Sequence, residues 1–365
     1  MNKVVLIVLA GIFLRIILSF TTFHPDLLAF QLGGRLVGEG KILNLYDYSS
    51  QAAVFNYPPM IYWFFGLFSF LGEILWLWKL PYLIFDLLLG LILFKLVKEK
   101  KALILGFWMF NPISLYATYM IGQFDIIPTF FTILSVFFAA KNRFYWAALA
   151  LGFGIAFKLY PVFLLIPLII SGKTFLDKIK IGLLAILPYI LSVLPYLQSS
   201  SFRETALFAN QSAKSLYAGI PVSGGEAILL FPASLIIFYL LIWNKNLDKL
   251  LIWKIYLIPL LLFFIFTHYH PQWLIWAVPF LVLDLMYGNF KNLLPVLLIG
   301  LAWFVSLFFF DPSLTLGIFI PHASSIWSLL NLQPDYNFSR SIIQTIFASG
   351  ALYLIIKNFP RKIND

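Results

Sequence analysis

The chain contains no cysteine and few charged residues. Cysteine is absent from all 365 residues, and Asp, Glu, Lys and Arg together make up only 11% of them. Without cysteine the chain has no disulfide, no thiolate nucleophile and no cysteine-based metal site. Soluble domains usually carry about 25% charged residues, so this scarcity argues against a soluble protein.

Apolar residues fill the sequence instead. They make up 62% of the chain, and the mean hydropathy is +0.93. We therefore expect an all-α polytopic membrane protein, residues 1–365 forming a single transmembrane domain of about 12 helices, with a range of roughly 10–13. The apolar runs that predict these helices are at 4–21, 75–97, 102–121, 126–140, 144–157, 159–170, 180–197, 227–243, 253–268, 272–288, 293–310 and 341–357.

The distribution of basic residues predicts the orientation. Lys and Arg of membrane proteins concentrate in cytoplasmic loops, and most of the 25 here do so if both termini are cytoplasmic and the further apolar run at 58–72 lies in the outer surface without crossing. The outer loops are then 22–74, 198–226 and 311–340. The net charge of +10 follows from this asymmetry, so membrane lipids are expected partners and nucleic acid is not.

Two carboxylates are predicted at the outer face. Asp26 follows the first apolar run, and Asp125 ends the motif GQFD together with Gln123. Each carboxylate has two interpretations, a helix cap or part of a catalytic or substrate-binding site. Beyond Asp26, apolar side chains predict a short helix lying against lipid: Leu27, Leu28, Phe30, Leu32 and Leu36.

A lysine interrupts the apolar sequence GIAFKLYP. A cation within a membrane segment costs roughly 2.5–3.5 kcal/mol, so Lys158 is expected to face a cavity or a partner. A phosphate site is the functional interpretation. The alternative is that its amine reaches the membrane surface, since Pro161 is expected to break the helix nearby.

THYHPQW, at 267–273, places two histidines at the junction of two apolar runs. His268 and His270 are too close in sequence to share a helix face, so zinc is a weak hypothesis. Hydrogen bonding to a phosphate or sugar, or a purely structural role, remains. Trp273 and Trp276 fit an aromatic belt at the membrane interface.

Three deeper charges receive no catalytic role. Arg15, Lys79 and Asp86 lie within or beside the apolar runs. We interpret them as neutralising one another or reaching an interface.

The order of the motifs resembles that of the GT-C superfamily, polytopic glycosyltransferases that use polyprenyl-phosphate sugars. The motifs are HPD after the first run, FNYPP (55–59), NP…GQFD (111–125), KLYP (158–161) and HYHPQW (268–273). They are most similar to the branch with protein O-mannosyltransferases, lipid-A aminoarabinose transferases and bacterial and archaeal mannosyltransferases. The resemblance covers roughly residues 1–170 and is loose beyond them.

This resemblance implies an inverting transfer at the outer face, with Asp26 as the base and surface helices at 27–38 and 58–72. The implied substrate-binding residues are Tyr57, Gln123, Asp125, Lys158, His268 and His270. The donor would be a polyprenyl-phosphate sugar, most commonly mannose, and the acceptor a lipid, glycan or protein. No cofactor is required, and a divalent metal is neither indicated nor excluded. The location implied is a prokaryotic cytoplasmic membrane.

The sequence also departs from this family pattern. Protein O-mannosyltransferases resemble one another in an acidic pair in the first loop, whereas Leu27 follows Asp26 here. Two alternatives therefore stay open. Buried charges and broken helices also suit a secondary transporter or a flippase for lipid-linked sugars, although the two halves show no convincing repeat. A noncatalytic scaffold is the third interpretation.

Overall fold

The computed structural model describes residues 3–49, 53–208, 213–243, 245, 252–310, 314 and 335–360, and these are mainly helical. The longer α-helices are α1 (Lys3–Ser19), α2 (Asp26–Gly38), α3 (Pro59–Gly66), α4 (Tyr82–Leu96), α5 (Lys101–Met109), α6 (Ile126–Ala140), α7 (Phe144–Phe157), α8 (Leu165–Ile170), α9 (Phe175–Val193), α10 (Leu230–Ile242), α11 (Ile252–Phe266), α12 (Val278–Tyr287), α13 (Leu293–Ser306) and α14 (Tyr336–Asn358).

Shorter elements join or extend these helices. Two are π-helical, Leu115–Met120 and Arg203–Leu207, and two are single α-turns, Pro112–Ser114 and Ser200–Phe202. The 3-10 helices are Leu45–Tyr48, Ser69–Leu71, Leu75–Lys79, Tyr160–Leu164, Leu194–Tyr196, Lys214–Leu216, Pro271–Trp276 and Leu307–Phe309. Strands β1 (Gly219–Pro221) and β2 (Ala227–Leu229) form an antiparallel hairpin before α10, which the sequence analysis did not predict.

The helices coincide closely with the apolar runs. Three of them are long and apolar enough to cross a membrane: Leu75–Leu96, Phe175–Tyr196 and Tyr336–Asn358. The other apolar helices are shorter, so the expected number of about 12 crossings stays a prediction. So do the limits of the outer loops, and 311–313 and 315–334 of the third loop lie outside the described residues.

The helix expected at 58–72 is short. Helix α3 has 8 residues, or a length of about 12 Å, much less than the roughly 30 Å of a bilayer core. It packs against α2 of the same loop. This contact corrects one expectation, because Leu27, Phe30 and Leu36 are buried in the protein rather than lying against lipid, and Leu28 is the exposed one.

Two adjacent glycines let α2 approach its neighbours closely. A Cβ atom on Gly33 would lie 2.3 Å from the ring of Tyr62, and one on Gly34 would lie 2.7 Å from the Cβ atom of Phe65 and 2.8 Å from Trp78. Glycine at these positions therefore fixes the distance between the helix that Asp26 begins and the protein core.

The three deep charges are satisfied within the protein. Asp86 accepts from Arg15 Nε at 2.6 Å, Trp108 Nε1 at 2.8 Å and the Tyr119 hydroxyl at 2.7 Å. Both members of the ion pair are fully buried. The Lys79 amine lies apart from this network and donates to main-chain carbonyls. Arg15 and Asp86 thus neutralise each other, as one interpretation of the sequence held.

We predict that Gly34→Ala lowers the free energy of unfolding by about 1–3 kcal/mol, because the added methyl group must displace Phe65 or Trp78. Gly106→Ala is the matched control: its Cβ atom meets nothing within 4 Å, and alanine favours a helix by about 0.5–1 kcal/mol. Thermal unfolding in detergent compares the two variants. Equal midpoints would contradict the close packing of α2.

A second prediction concerns the buried ion pair. Asp86→Leu leaves the Arg15 guanidinium unpaired and should cost about 3–5 kcal/mol, whereas the double variant Arg15→Met/Asp86→Leu should recover most of this loss. The thermal midpoints of the wild type, both single variants and the double variant form a double-mutant cycle, which measures the coupling between the two charges. A double variant whose loss equals the sum of the two single losses would show that the two charges are not coupled.

Candidate functional site

Asp26 is held by side chains from two distant parts of the chain. It is the first residue of α2, yet it makes no capping hydrogen bond to that helix. Its Oδ2 atom accepts from the Tyr57 hydroxyl at 2.9 Å and from Gln123 Nε2 at 3.0 Å. The side chain remains 25% exposed. Asp26 therefore combines fixed orientation with access to solvent, which a cap would not need.

A tight turn brings Gln123 to this carboxylate. Gly122 has φ +78°, a left-handed conformation in which side chains other than that of glycine are strained. The Tyr82 hydroxyl donates to the Gly122 carbonyl at 3.0 Å, and the His24 amide donates to the Ile121 carbonyl at 2.8 Å. The turn is thus fastened to α4 and to the segment that precedes Asp26.

The second carboxylate is buried in an ion pair. Asp125 precedes α6 without capping it. Its Oδ1 atom accepts from Lys158 Nζ and from Trp276 Nε1, both at 2.6 Å. Lys158 follows the last residue of α7 in extended geometry, and its exposure of 8% excludes the alternative that its amine reaches the membrane surface.

Four rings form a stack beside this ion pair. Tyr160 and Trp276 are nearly parallel with centroids 4.1 Å apart, Trp273 lies 5.3 Å beyond Trp276, and His270 lies 5.2 Å beyond Trp273. Both tryptophans are at most 5% exposed. The expected aromatic belt is therefore wrong for these two residues. They pack inside the protein because the Trp276 indole has a buried carboxylate to bind.

The stack borders a cavity of about 260 Å³. Tyr57 also lines this cavity, so one residue both lines the cavity and donates to Asp26. Lys158 lies 5.5 Å from the centre of the Tyr57 ring and 5.3 Å from that of Trp276. The cavity therefore combines aromatic walls, a cation and a phenol at the edge of the Asp26 cluster.

The two histidines face different surroundings. His270 Nε2 lies 2.8 Å from Lys214 Nζ and extends the ring stack. His268 stacks on Phe310 and lines a second cavity of about 660 Å³ together with Arg340. Arg340 Nε is buried without a hydrogen-bond partner among the described residues. His270 therefore belongs to the ring stack beside the 260 Å³ cavity, whereas His268 lines the second cavity.

Burial and like charges disfavour protonation of these histidines. Burial is the larger cause and the charge of Lys214 the next for both rings, and together they lower the pKa of His268 and bring that of His270 to about 4. Burial also lowers the pKa of Lys214. At neutral pH His270 is an uncharged ring whose Nε2 atom can accept a hydrogen bond from the ammonium group beside it.

Of the seven predicted site residues, six thus form one chain of contacts, and His268 stands apart. Lys214 and Trp276 belong to this chain but were not among the predicted site residues. Lys214 is in a loop without a recognisable motif, so its surroundings in the sequence offered no reason to select it. Trp276 is three residues beyond the motif HYHPQW, and extending that motif by one turn would have identified it. No group of three potential metal ligands occurs in the described part of the chain.

Opposing effects act on the pKa of Asp26. Burial raises it, but the charge and hydrogen bonding of His24 and the bonds from Gln123 and Tyr57 outweigh burial and lower it to about 2. His24 Nδ1 lies 3.2 Å from the Asp26 amide nitrogen and 3.5 Å from its carboxylate, so the His24 ring contacts both the main chain and the side chain of Asp26.

We predict that Asp26 stays ionised down to about pH 3, because a lowered pKa extends the ionised range of a carboxyl group towards acid. His24→Phe removes the largest lowering influence and should raise the pKa towards the ordinary value. Infrared difference spectra between each protein and its Asp26→Asn counterpart isolate the carbonyl stretch of the protonated side chain. A protonated Asp26 in the wild type at pH 5 would contradict the geometry.

Comparison with known proteins agrees with the resemblance in the sequence. Residues 119–217 match the family model described as Mannosyltransferase (PIG-M). GPI mannosyltransferase 1 of Saccharomyces cerevisiae is 30% identical over 156 residues, which are 40% of this chain and span only 35% of that relative's length. The crystal structure of ArnT from Cupriavidus metallidurans bound to undecaprenyl phosphate superposes with a TM-score of 0.53 at 14% identity, covering 96% of this chain and 75% of ArnT. The protein therefore has the GT-C fold of ArnT in an integral membrane chain, and its middle part is similar to mannosyltransferases.

Proposed function

We propose that this chain is a membrane mannosyltransferase that moves mannose from a polyprenyl-phosphate donor to a hydroxyl group of a lipid, glycan or protein at the outer membrane face. The match to mannosyltransferases over residues 119–217 supports the sugar. The fold shared with ArnT, whose crystal structure holds undecaprenyl phosphate, supports the class of donor.

One observation carries the proposal: the partly exposed Asp26 carboxylate is fixed by Tyr57, and Tyr57 also lines the 260 Å³ cavity. This volume is near the lower end of the roughly 300–1,000 Å³ of small-molecule pockets, which suits one sugar ring. A base must lie within hydrogen-bond distance of the hydroxyl that it deprotonates. A sugar in this cavity would place its acceptor near Asp26.

In the proposed reaction the acceptor oxygen attacks the anomeric carbon of mannose. Asp26 takes the hydroxyl proton as the new carbon–oxygen bond forms. The bond between that carbon and the phosphate oxygen breaks, and the phosphate leaves with the electron pair. A single displacement inverts the anomeric centre, and this scheme uses no cofactor.

The leaving phosphate gains negative charge and needs donors near it. Lys158 was the predicted phosphate ligand, but its charge is already balanced by Asp125 at 2.6 Å. Lys214 binds no carboxylate among the described residues and lies next to the neutral His270. We therefore assign the phosphate to Lys214 and His270, while Lys158 and its carboxylate shape the cavity.

Asp125 has a second role in this scheme. Its Oδ1 atom is occupied by Lys158 and Trp276, whereas its Oδ2 atom is buried and accepts no hydrogen bond from the described residues. Asp125 is itself fully buried and does not line the cavity, so the proposed contact requires a sugar hydroxyl to reach past Lys158 and Trp276, which do line it. In that position the carboxylate would orient the sugar ring.

We predict that Asp26→Asn lowers mannosyl transfer at least about 100-fold, since a positioned general base contributes roughly 10²–10⁴ in rate. The measurement is transfer of radiolabelled mannose from synthetic polyprenyl-phosphate mannose to an extract of the host's lipids and glycans. Asp47→Asn is the matched control, because Asp47 is an exposed carboxylate in the same outer loop.

Each outcome of this assay is informative. Transfer by the wild type and the control, but not by Asp26→Asn, supports both the reaction and the base. Full activity in a folded Asp26→Asn protein overturns the role of Asp26. If no protein transfers mannose, glucose and arabinose donors follow. Failure with every donor overturns the transferase and directs the work to transport of lipid-linked sugars in vesicles.

A further inference from the structure

Lys79 makes an unusual set of contacts that the proposed reaction does not use. It is 1% exposed and lies at the end of the 3-10 helix Leu75–Lys79. Its Nζ atom donates to the carbonyls of Ser19 at 3.1 Å, Tyr119 at 2.8 Å and Met120 at 2.9 Å, and also to that of Thr22. One amine therefore contacts four main-chain carbonyls.

These carbonyls belong to two segments that are far apart in sequence. Ser19 is the last residue of α1, and Thr22 lies in the segment that leads from it to Asp26. Tyr119 and Met120 end the π-helix Leu115–Met120 and lead into the turn that carries Gln123. The amine thus joins the main chain on both sides of the hydrogen bond between Gln123 and Asp26.

The carbonyl groups around the Lys79 amine favour its charged form. Carbonyl oxygens only accept hydrogen bonds, and an ammonium group has three N–H donors and no lone pair. A neutral amine would direct its lone pair at one of these oxygens. Lys79 pairs with no Asp or Glu in the described ranges, so the carbonyl dipoles are what offsets the cost of its burial.

No other contact can replace this one easily. The carbonyls lie at helix ends, where the last carbonyl groups lack partners within the helix. The segments also touch through the His24 amide and the Ile121 carbonyl, and through the contacts of Gln123 with Asp26 and His24. Hydrogen bonds to charged groups contribute roughly twice as much as neutral ones, and Lys79 is the residue whose amine bonds to the main chain of both segments.

We propose that Lys79 is a positioning residue, whose ammonium group sets the distance between the Asp26 segment and the Gln123 turn and so aligns the base of the proposed reaction. This inference rests on the proposed function for its effect on rate. Lys79 is too deeply buried to touch the substrates. It acts through the main chain of the residues that orient Asp26.

Two variants of different donor capacity test this role. Lys79→Gln keeps two N–H donors without charge, and Lys79→Met keeps a chain of similar volume without donors. We expect kcat to fall in the order Lys, Gln, Met, by about 10- to 100-fold for Met, because a displacement of 1 Å can cost about 100-fold. KM for the donor should change less than threefold. Lys95→Met, at the exposed inner end of α4, is the control and should retain wild-type kcat.

Hydrogen–deuterium exchange read by mass spectrometry tests the contact independently of activity. Lys79→Met should speed exchange in peptides covering 19–27 and 119–126 together, while peptides of α9 and α14 keep their wild-type rates. If Lys79→Met does not fold, Lys79→Gln is measured in the same way. Faster exchange everywhere would indicate general destabilisation and overturn the proposal.

The activity assay and the exchange experiment together test the positioning role of Lys79 separately from the proposed transferase function. Unchanged exchange in both segments, or wild-type kcat in Lys79→Met, overturns the positioning role. A wild-type protein that transfers no sugar overturns the proposed function, and the exchange data then still decide whether Lys79 holds the two segments together. Equal loss of kcat in Lys79→Gln and Lys79→Met, which differ in N–H donors but not greatly in volume, would overturn the role given to those donors.

Discussion

The ion pair between Asp125 and Lys158 is the interaction on which the arrangement of the site depends. Neither charge is stable alone in apolar surroundings, so each must remain where the other is. Lys158 lies at the break after α7 and Asp125 at the start of α6, with Trp276 bound to the same oxygen. The pair therefore fixes three parts of the chain around one cavity, and the ring stack follows from the position of Trp276.

The surroundings of Asp26 differ from those of Asp125. The Asp26 carboxylate is partly exposed and accepts hydrogen bonds from two neutral side chains, Tyr57 and Gln123, with the His24 ring 3.5 Å away. The Asp125 carboxylate is instead fully buried and bound to the Lys158 ammonium group. The two aspartates therefore differ in exposure and in partners, and only Asp26 is open to solvent.

The sequence predicted the helices well and the partners of the polar residues poorly. Long apolar runs determine helices directly, and Asp26, Asp125 and Lys158 stand out because charged residues are rare in a chain with so many apolar runs. Which atoms they contact depends on tertiary packing, so the Asp125 ion pair could not be predicted from two residues 33 positions apart. Trp276 looked like an interfacial residue because composition alone does not distinguish a lipid-facing ring from a buried one.

The same limit applies to the outer loops. The apolar side of α2 predicted an amphipathic helix but not whether lipid or protein covers it, and Gly33 and Gly34 decide for protein by allowing close contact with α3. Lys214 lies in a loop with no periodic pattern, and nothing in its sequence relates it to His270. Lys214 and His270 become neighbours only when the chain folds.

The polar residues along Leu75–Leu96 have a consequence for how the chain is made. Lys79 and Asp86 find some partners in α1, which is synthesised earlier, but the others, Tyr119 among them, emerge from the ribosome only later. Until those later partners are made, the polar groups of this helix lack part of their hydrogen bonding. The helix therefore reaches its final arrangement only after the GQFD turn has been synthesised, and α1, α4 and that turn assemble as a group and not one by one.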